Sequence, residues 1–384
     1  SPFLPAGFYY KTFMWPASFW RKYEFFIRHS SGLGKSPTKP DPDVYDHRYI
    51  HCDVLVVGGG ISGIIAAKMA AKNNLKTVLI EEKNELGGST IYQNSELYKI
   101  ENDNSSDWLK KEIDELKQIK NIDIKTRTIV AAFHSYNFLL ARENLTDHLT
   151  LSERKDKIRQ RLWKIRAKKV IIATGAIERP LIFNNNDRPG ILLSSAVKKY
   201  IDYFGVIGGK KSVVFTNNDS GYETAVSLSE KGVKVNCIID IRKKNSSELI
   251  KKVENLGIKI YWEHTIVGTD GYRRLKKISI MSLSKDGSLV TGEKINIYCD
   301  CLAMSGGWTP AVHLFTQSGG KLKFREKDQV FIPDTAQSDQ ISVGSCNGNF
   351  GLEGVIKNTI SDVNKFLNCE KNIYQTIDVN CSKQ

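Results

Sequence analysis

Gly58, Gly60 and Gly63 stand in the spacing G-x-G-x-x-G, and an acidic residue, Glu81, follows. Glycine at the first position permits a tight turn, and at the second it lets the backbone approach a pyrophosphate closely. At the third it allows close helix–strand packing, so that the N–H groups of Ile61, Ser62 and Gly63 open a helix toward the phosphates. An acid about 20 positions on is suited to hold ribose hydroxyls. Glu81 stands there with Glu82 beside it, so the residues predict a site for FAD or NAD.

The fingerprint carries weight only between a strand and a helix. An apolar strand over residues 53–57, just after Cys52, leads into it, and an alanine-rich helix over 61–73 leaves it. A second strand, 77–81, ends at Glu81. Leu86-Gly87-Gly88-Ser89 then supplies a paired glycine, so Gly88 and Ser89 are candidate cofactor contacts. Residues 169–175 form a strand running into Ala-Thr-Gly, which adds Thr174 and Gly175. A third segment near the C-terminal end, residues 343–348, has Gly344 followed by Ser345 where flavoproteins of this type place a ribityl-binding aspartate. The missing aspartate does not exclude FAD, but it makes NAD more plausible in this site. Together these marks predict an α/β, glutathione-reductase-like fold with two dinucleotide-binding domains.

Further elements fill that outline. A helix is expected over 108–119, short antiparallel strands over 122–168 (138–142 and 162–168 among them), and a buried strand over 169–174. A second βα unit runs through strand 212–215, helix 222–231 and strand 234–240. Strands follow at 259–262, 277–283, 294–298 and 341–344, then a helix over 354–367. The second unit's turn, Thr216-Asn217-Asn218-Asp219-Ser220-Gly221, carries side chains that would crowd a pyrophosphate. The predicted organisation is an aromatic arm and linker over 1–50, a dinucleotide domain over 51–205 with 335–370, a degenerate second domain over 206–334, and a loosely ordered tail over 371–384. The arm crowds aromatics such as Phe8, Trp15, Trp20, Phe25 and Phe26 into a prolyl-broken segment with little periodicity. So much aromatic area is expected to pack against the body or a partner.

Composition narrows the classes. No apolar run reaches the ~20 residues of a membrane span, and no secretory signal opens the sequence. Seven scattered cysteines suit reduced thiols and a cytoplasmic location, and no closely spaced pair stands near the first helix. No histidine or cysteine grouping has metal-ligand spacing, and no catalytic constellation emerges. The net charge of +14 is spread along the chain rather than concentrated for nucleic acid. Its one basic cluster, residues 154–169, alternates with Leu162, Trp163 and Ile165 as an exposed strand would; it reads as a solvated surface or a docking face for an acidic partner.

Several longer strings are more specific than any fingerprint. Residues 1–16 (SPFLPAGFYYKTFMWP), 40–49, 52–63, 86–89, 173–180 (ATGAIERP), 187–190, 215–220 (FTNNDS), 305–310 (SGGWTP) and 346–352 resemble the α subunit of heterotetrameric sarcosine oxidase. Opine oxidase and hydrogen cyanide synthase α subunits are similar in the Ala-Thr-Gly…Glu-Arg-Pro part of residues 173–180. The resemblance implies a complex with β, γ and δ subunits that demethylates sarcosine to glycine. Formaldehyde or methylene-tetrahydrofolate and hydrogen peroxide are the other products. It implies amine oxidation at an FAD on the β subunit, an FMN shared at the α/β interface, and NAD in the α subunit's flavin-like site. The family's α subunit also has residues before the aromatic segment and a C-terminal folate-binding domain, so this sequence corresponds to its nucleotide-binding portion. Two other classes remain open: a self-sufficient FAD-dependent NAD(P)H oxidoreductase, and a non-catalytic assembly module with a structural nucleotide.

Overall fold

The computed structural model describes residues 15–32, 34, 38–93, 98–369, 373, 374, 377 and 379–381. The aromatic stretch 1–14 lies outside these. The rest of the expected arm is not aperiodic: Trp20–Ser30 forms helix α1, with Trp20, Tyr23 and Ile27 on its more shielded side. Helix α1 buries none of its residues, and Phe25 and Phe26 are exposed. The expected packing of these aromatics against the body is therefore not seen among the described residues.

Strand β1 (Val44–Val57) contains two burial regimes. Residues from Val54 onward are buried on both faces, as a central parallel strand requires. Residues 44–50, expected as linker, are instead the first half of this strand, paired with the first half of β6 (Ile158–Ile172). Strand β6 is one continuous element, where the sequence reading divides it at residue 169. Between them lie helix α2 (Ile61–Lys72), β2 (Thr77–Ile80), helix α3 (Ser105–Lys117), β3 (Ile122–Lys125), β4 (Thr128–His134) and β5 (Phe138–Asn144). The parallel part of the sheet runs β3-β2-β1-β6, with the short strand Gln340–Ser342 beyond β6. On the first half of β6, β5 and β4 add an antiparallel extension.

A second five-stranded parallel sheet is built from β7 (Ile191–Leu193), β8 (Lys211–Thr216), β9 (Lys234–Asp240), β10 (Lys259–Trp262) and β11 (Cys301–Ser305). Its order is β7-β11-β8-β9-β10, with helices α4 (Ser194–Asp202) and α5 (Ser220–Glu230) packed on it. The chain passes between the sheets at Ala176–Glu178 and Trp308–Pro310, which pair with each other antiparallel. The expected boundaries at residues 205 and 334 therefore shift. Val197 and Ile201 of α4 lie in the second sheet's core, whereas Phe315 lies in the first.

Helix α2 is buried along nearly its whole length, so its polar residue Lys68 has to be paired inside. Lys68 Nζ lies 2.8 Å from Glu112 and 2.9 Å from Glu115, both on α3. The Tyr374 hydroxyl donates to Glu112 as well. Tyr374 is buried in the first core, and Val379–Cys381 pairs with Tyr98–Ile100. The described part of the expected loose tail is thus docked, and helix α6 (Leu352–Leu367) packs beside α2 ahead of it. Replacing Glu112 by Leu leaves the buried ammonium with Glu115 alone. Glu112→Leu is expected to cost about 3 kcal/mol in urea unfolding of the nucleotide-free chain. An unchanged urea midpoint would show that this carboxylate does not hold Lys68.

Candidate dinucleotide site

The turn between β1 and α2 is shaped by backbone atoms that leave no room for side chains. Gly58 has φ 105°, its N–H donates to Ile80 O at 2.8 Å, and Ala173 N–H donates to Val57 O at 2.7 Å. A Cβ on Gly58 would overlap the Ala173 carbonyl oxygen, and one on Gly63 would overlap the Gly58 carbonyl oxygen. The ends of β1 and β6 and the start of α2 thus meet through bare backbone. Gly60 is the opposite case, because a Cβ there would meet nothing within 4 Å. It is the N-cap of α2, makes no side-chain cap bond and bridges in parallel to Gly87, so bare backbone rather than side chains surrounds the helix start.

Glu81 is buried behind this turn. Its Oε2 accepts from Gly59 N–H at 2.6 Å and its Oε1 from Lys83 N–H at 2.9 Å. Each carboxylate oxygen keeps a further lone pair for a hydroxyl donor. Gly87 N–H donates to Gly59 O at 2.7 Å, and a Cβ on Gly88 would stand 3.0 Å from Gly60 Cα. The paired glycine therefore packs directly on the fingerprint.

The structure brings Gly58, Gly60, Gly63, Glu81 and Gly88 together, but it gives other candidates different surroundings. Ile61 is buried in the first core. Ser62 is also buried, and its hydroxyl accepts from Thr359 of α6 at 3.1 Å. A Cβ on Gly344 would overlap that same hydroxyl, so Ser62 and Gly344 act in helix packing. Glu82 and Ser89 are exposed. Thr174 Oγ1 donates to Ala311 O at 2.9 Å, and Gly175 O accepts from Ala311 N–H, tying the chain's return to the first unit. The residue of this strand end that meets the glycine turn is Ala173, through its carbonyl. Gly59 and Gly87 were also missed, although both stand inside the glycine strings that signalled the site.

The second unit repeats the topology with the opposite outcome. Thr216 stands at the place of Gly58, Asn218 at that of Gly60 and Gly221 at that of Gly63. Asn218 Oδ1 accepts from Ser220 N–H at 3.0 Å, so a side chain fills the start of α5. The Asn218 amide also donates to Ser305 O at 3.2 Å. At the end of β9, Asp240 is fully buried; it accepts from Tyr222 at 2.8 Å and pairs with Arg242 at 2.7 Å. Arg242 reaches Asp219 of the turn as well, at 2.9 Å. The space a second nucleotide would occupy at this turn is filled by the protein's own polar groups.

These two turns, one open and one closed, can be set beside known proteins. A family model described as pyridine nucleotide-disulphide oxidoreductase matches residues 52–344. The chain belongs to that family. It is 36% identical over 347 residues to the sarcosine oxidase subunit alpha of Rhizobium meliloti, covering 90% of this chain and 33% of that protein. It is 35% identical over 321 residues to the subunit alpha of Corynebacterium sp. strain P-1, covering 83% and 33%. This chain thus spans about a third of the length of these curated relatives. Among solved structures, thioredoxin reductase from T. acidophilum aligns with TM-score 0.60 at 19% identity, over 83% of this chain and 97% of that one. L-proline dehydrogenase from P. horikoshii aligns with TM-score 0.58 at 20% identity, over 84% and 57%. At these identities the structural likeness establishes the two-unit fold, in agreement with the fold class read from the sequence.

Burial pushes the thiols of Cys52, Cys237 and Cys299 up to about 12, far from the reactive thiolate range. Among the described residues no group of three or more His, Cys, Asp or Glu side chains could hold a metal. One acid does stand out where the units join. Glu178 of the crossing ribbon is buried, and its Oε2 accepts from Ser195 N–H at 2.8 Å and Ser195 Oγ at 2.5 Å. Burial raises its carboxyl above the ordinary value of 4.5, and the Ser195 bonds offset this only in part.

Two outcomes follow from this geometry. Because the Glu178 carboxyl is raised, its contribution to stability is full below the unfolded value and lost as pH rises through the folded value. Glu178→Gln keeps an acceptor for Ser195 and cannot ionise. Its stability relative to the wild type should therefore increase as pH rises above the ordinary carboxyl value of 4.5, measured by urea unfolding; a constant difference would contradict a raised carboxyl. Gly60→Val points into open space, so the variant should fold with the nucleotide-free melting temperature of the wild type yet retain no dinucleotide. Stoichiometric nucleotide in that variant would contradict the placement of the site.

Proposed function

We propose that this chain is the dinucleotide-binding α-type subunit of a sarcosine oxidase-like complex, with NAD held at the Gly58–Gly63 turn. The observation that carries the reading is the contrast between the bare-backbone start of α2 over Gly60 and the side-chain-filled start of α5. One turn is open to a pyrophosphate and the other is not. The residues present fit the group. The helix-opening N–H groups and the helix dipole favour phosphate, and Glu81 is fixed with acceptor capacity to spare for ribose. A bound NAD would supply a hydride-accepting ring. The chain's own residues bind and orient: Gly60 admits the pyrophosphate, Gly59 and Lys83 hold the Glu81 carboxylate, and Gly88 closes the loop over the turn. Ser345, half-buried in the 3-10 turn Gly344–Asn347, provides no carboxylate for a flavin ribityl chain, which favours NAD over FAD.

On this reading, amine oxidation belongs to a β-type partner, with γ and δ subunits and a shared FMN completing the assembly. The likeness to named α subunits supports it. The filled second turn favours a structural or relay nucleotide over an NAD(P)H-dependent reductase acting alone. Denaturing the purified chain should release one NAD per chain and no flavin, identified by absorbance and mass. Released FAD would overturn the choice of nucleotide, and no nucleotide at all would overturn the site. Glu81→Ala should weaken nucleotide binding by about 1–3 kcal/mol, read by titration of the nucleotide-free chain. The isolated chain should oxidise NADH no faster than buffer; brisk oxidation would replace this reading with the self-sufficient reductase.

A further inference from the structure

The basic run over residues 154–169 has no part in the nucleotide site, and the fold separates its two kinds of residue. On β6, Trp163, Ile165 and Ala167 point into the first core. The alternate residues Leu162, Lys164 and Arg166 lie on the other face, together with the neighbours that register places beside them. The row at Arg166 holds His51, Phe138 and His134. The row at Lys164 holds Tyr49, Leu140 and Ala132. The row at Leu162 holds His47, Arg142 and Ile129. None of these positions is Asp or Glu.

The face is open. Tyr49 is 65% exposed, Ile129 40% and Leu162 37%, and His47, His51, Arg142 and Arg166 are exposed too. Lys164 and Arg166 make no ion pair among the described residues, and these two cations rest on rings instead. Lys164 Nζ lies 5.1 Å from the centre of the Tyr49 ring, and the Arg166 guanidinium 4.9 Å from that of Phe138. Such contacts retain the positive charge and hold the side chains flat across the sheet. On the core side of the same strands the cations do find acids, as where Arg161 meets Asp46 at 2.7 Å. On the outer face, among the described residues, acids stand only at the margins, where Asp53 meets Lys168 at 2.8 Å and Asp147 lies within electrostatic reach of Arg142, so the unpaired cations are Lys164 and Arg166 at its centre.

We propose that the outer face of β1, β6, β5 and β4, centred on Lys164, is the docking surface for an acidic protein surface of a partner subunit. This rests on the reading of the chain as one subunit of a complex. Charge complementarity selects the occupant, because a carboxylate-bearing surface supplies the counter-charges that Lys164 and Arg166 lack. The apolar centre of Tyr49, Leu140 and Leu162 inside a cationic rim has the anatomy of a protein–protein interface. Aliphatic Leu140, Leu162 and Ile129 between the cations offer poor stacking for bases, which disfavours single-stranded nucleic acid. The chain's own residues 1–14 contain Lys11 and no carboxylate, so they are not the complement.

The test uses the full chain, tagged in its native cells and purified with whatever polypeptides accompany it. A zero-length carbodiimide should join Lys164 Nζ to an Asp or Glu carboxyl of a co-purifying chain, found by mass spectrometry of the digest. Arg142→Glu combined with Arg166→Glu should weaken reassociation roughly tenfold or more, with nucleotide content unchanged. Lys164→Glu, a single change at a half-buried lysine, serves as the second variant should the pair impair folding. A partner that reassociates equally well with these variants, while Lys164 stays reactive in the complex, overturns the face and leaves the subunit reading standing. A chain recovered alone overturns that reading and the face with it. Tight binding of a single-stranded oligonucleotide, lost in the charge-reversed variants, would reassign the face to nucleic acid and overturn the proposal.

Discussion

The meeting of bare backbone at Gly58, Gly63 and Ala173 is the constraint on which the first unit depends. Gly58 adopts a left-handed φ against the Ala173 carbonyl, and Gly63 brings α2 down onto the Gly58 carbonyl. Any side chain at either glycine pushes the helix from the sheet. Only at this closeness does α2 start directly over the ends of β1 and β6, so that its first N–H groups converge on one spot. The same closeness explains why α2 is alanine-rich on the way out. Ala66, Ala67, Ala70 and Ala71 are buried, and small side chains let the helix sit close to its neighbours. It also explains the polar exception, since Lys68 is buried by the same approach and is paired with Glu112 and Glu115.

The two units start from one topology and diverge at a few side chains. A nucleotide reaching the second turn would have to displace the Asn218 amide from Ser220 and Ser305. It would also have to contend with an Arg242 already shared between Asp240 and Asp219. Each hydrogen bond is worth about 1 kcal/mol net, but a buried group left unpaired costs more. The fully buried Asp240 would be the costliest to strand. The second unit is therefore stabilised by the polar groups that close it. The first unit leaves its helix start without a side-chain cap, an arrangement suited to an anionic ligand that supplies acceptors.

Much of this was legible in the sequence, because period and glycine placement are local signals. Strand 77–81, helix 61–73 and strands 234–240 and 277–283 coincide with observed elements within a residue or so. The failures share one cause, a decision made by distant partners. Residues 44–50 carry no apolar alternation, and the prolines at 37, 40 and 42 favour a linker; only pairing with β6 settles the matter. Strand β6 looks like two strands because its burial changes from one-sided to two-sided where β5 ends and Gln340–Ser342 begins. Ser62 and Gly344 carry the right types for a phosphate contact. That they face one another and Thr359 depends on where α6 lands, which no local pattern encodes.

Glu81 shows what kind of nucleotide handling the site supports. Its carboxylate is held by two backbone N–H groups, one from the glycine turn and one from its own loop, before any ribose arrives. A side chain fixed in this way loses little rotamer freedom on binding, so more of the interaction energy remains as affinity. The glycine loop at Gly87 is likewise bonded to Gly59 in the ligand-free geometry. Preorganisation of acid, turn and loop together favours retention over exchange. With the second turn closed by its own side chains, retention is the role that fits both halves of the chain. On the proposed reading, a nucleotide kept in place leaves electron traffic to other members of an assembly, which calls for a docking surface more than for a second nucleotide site.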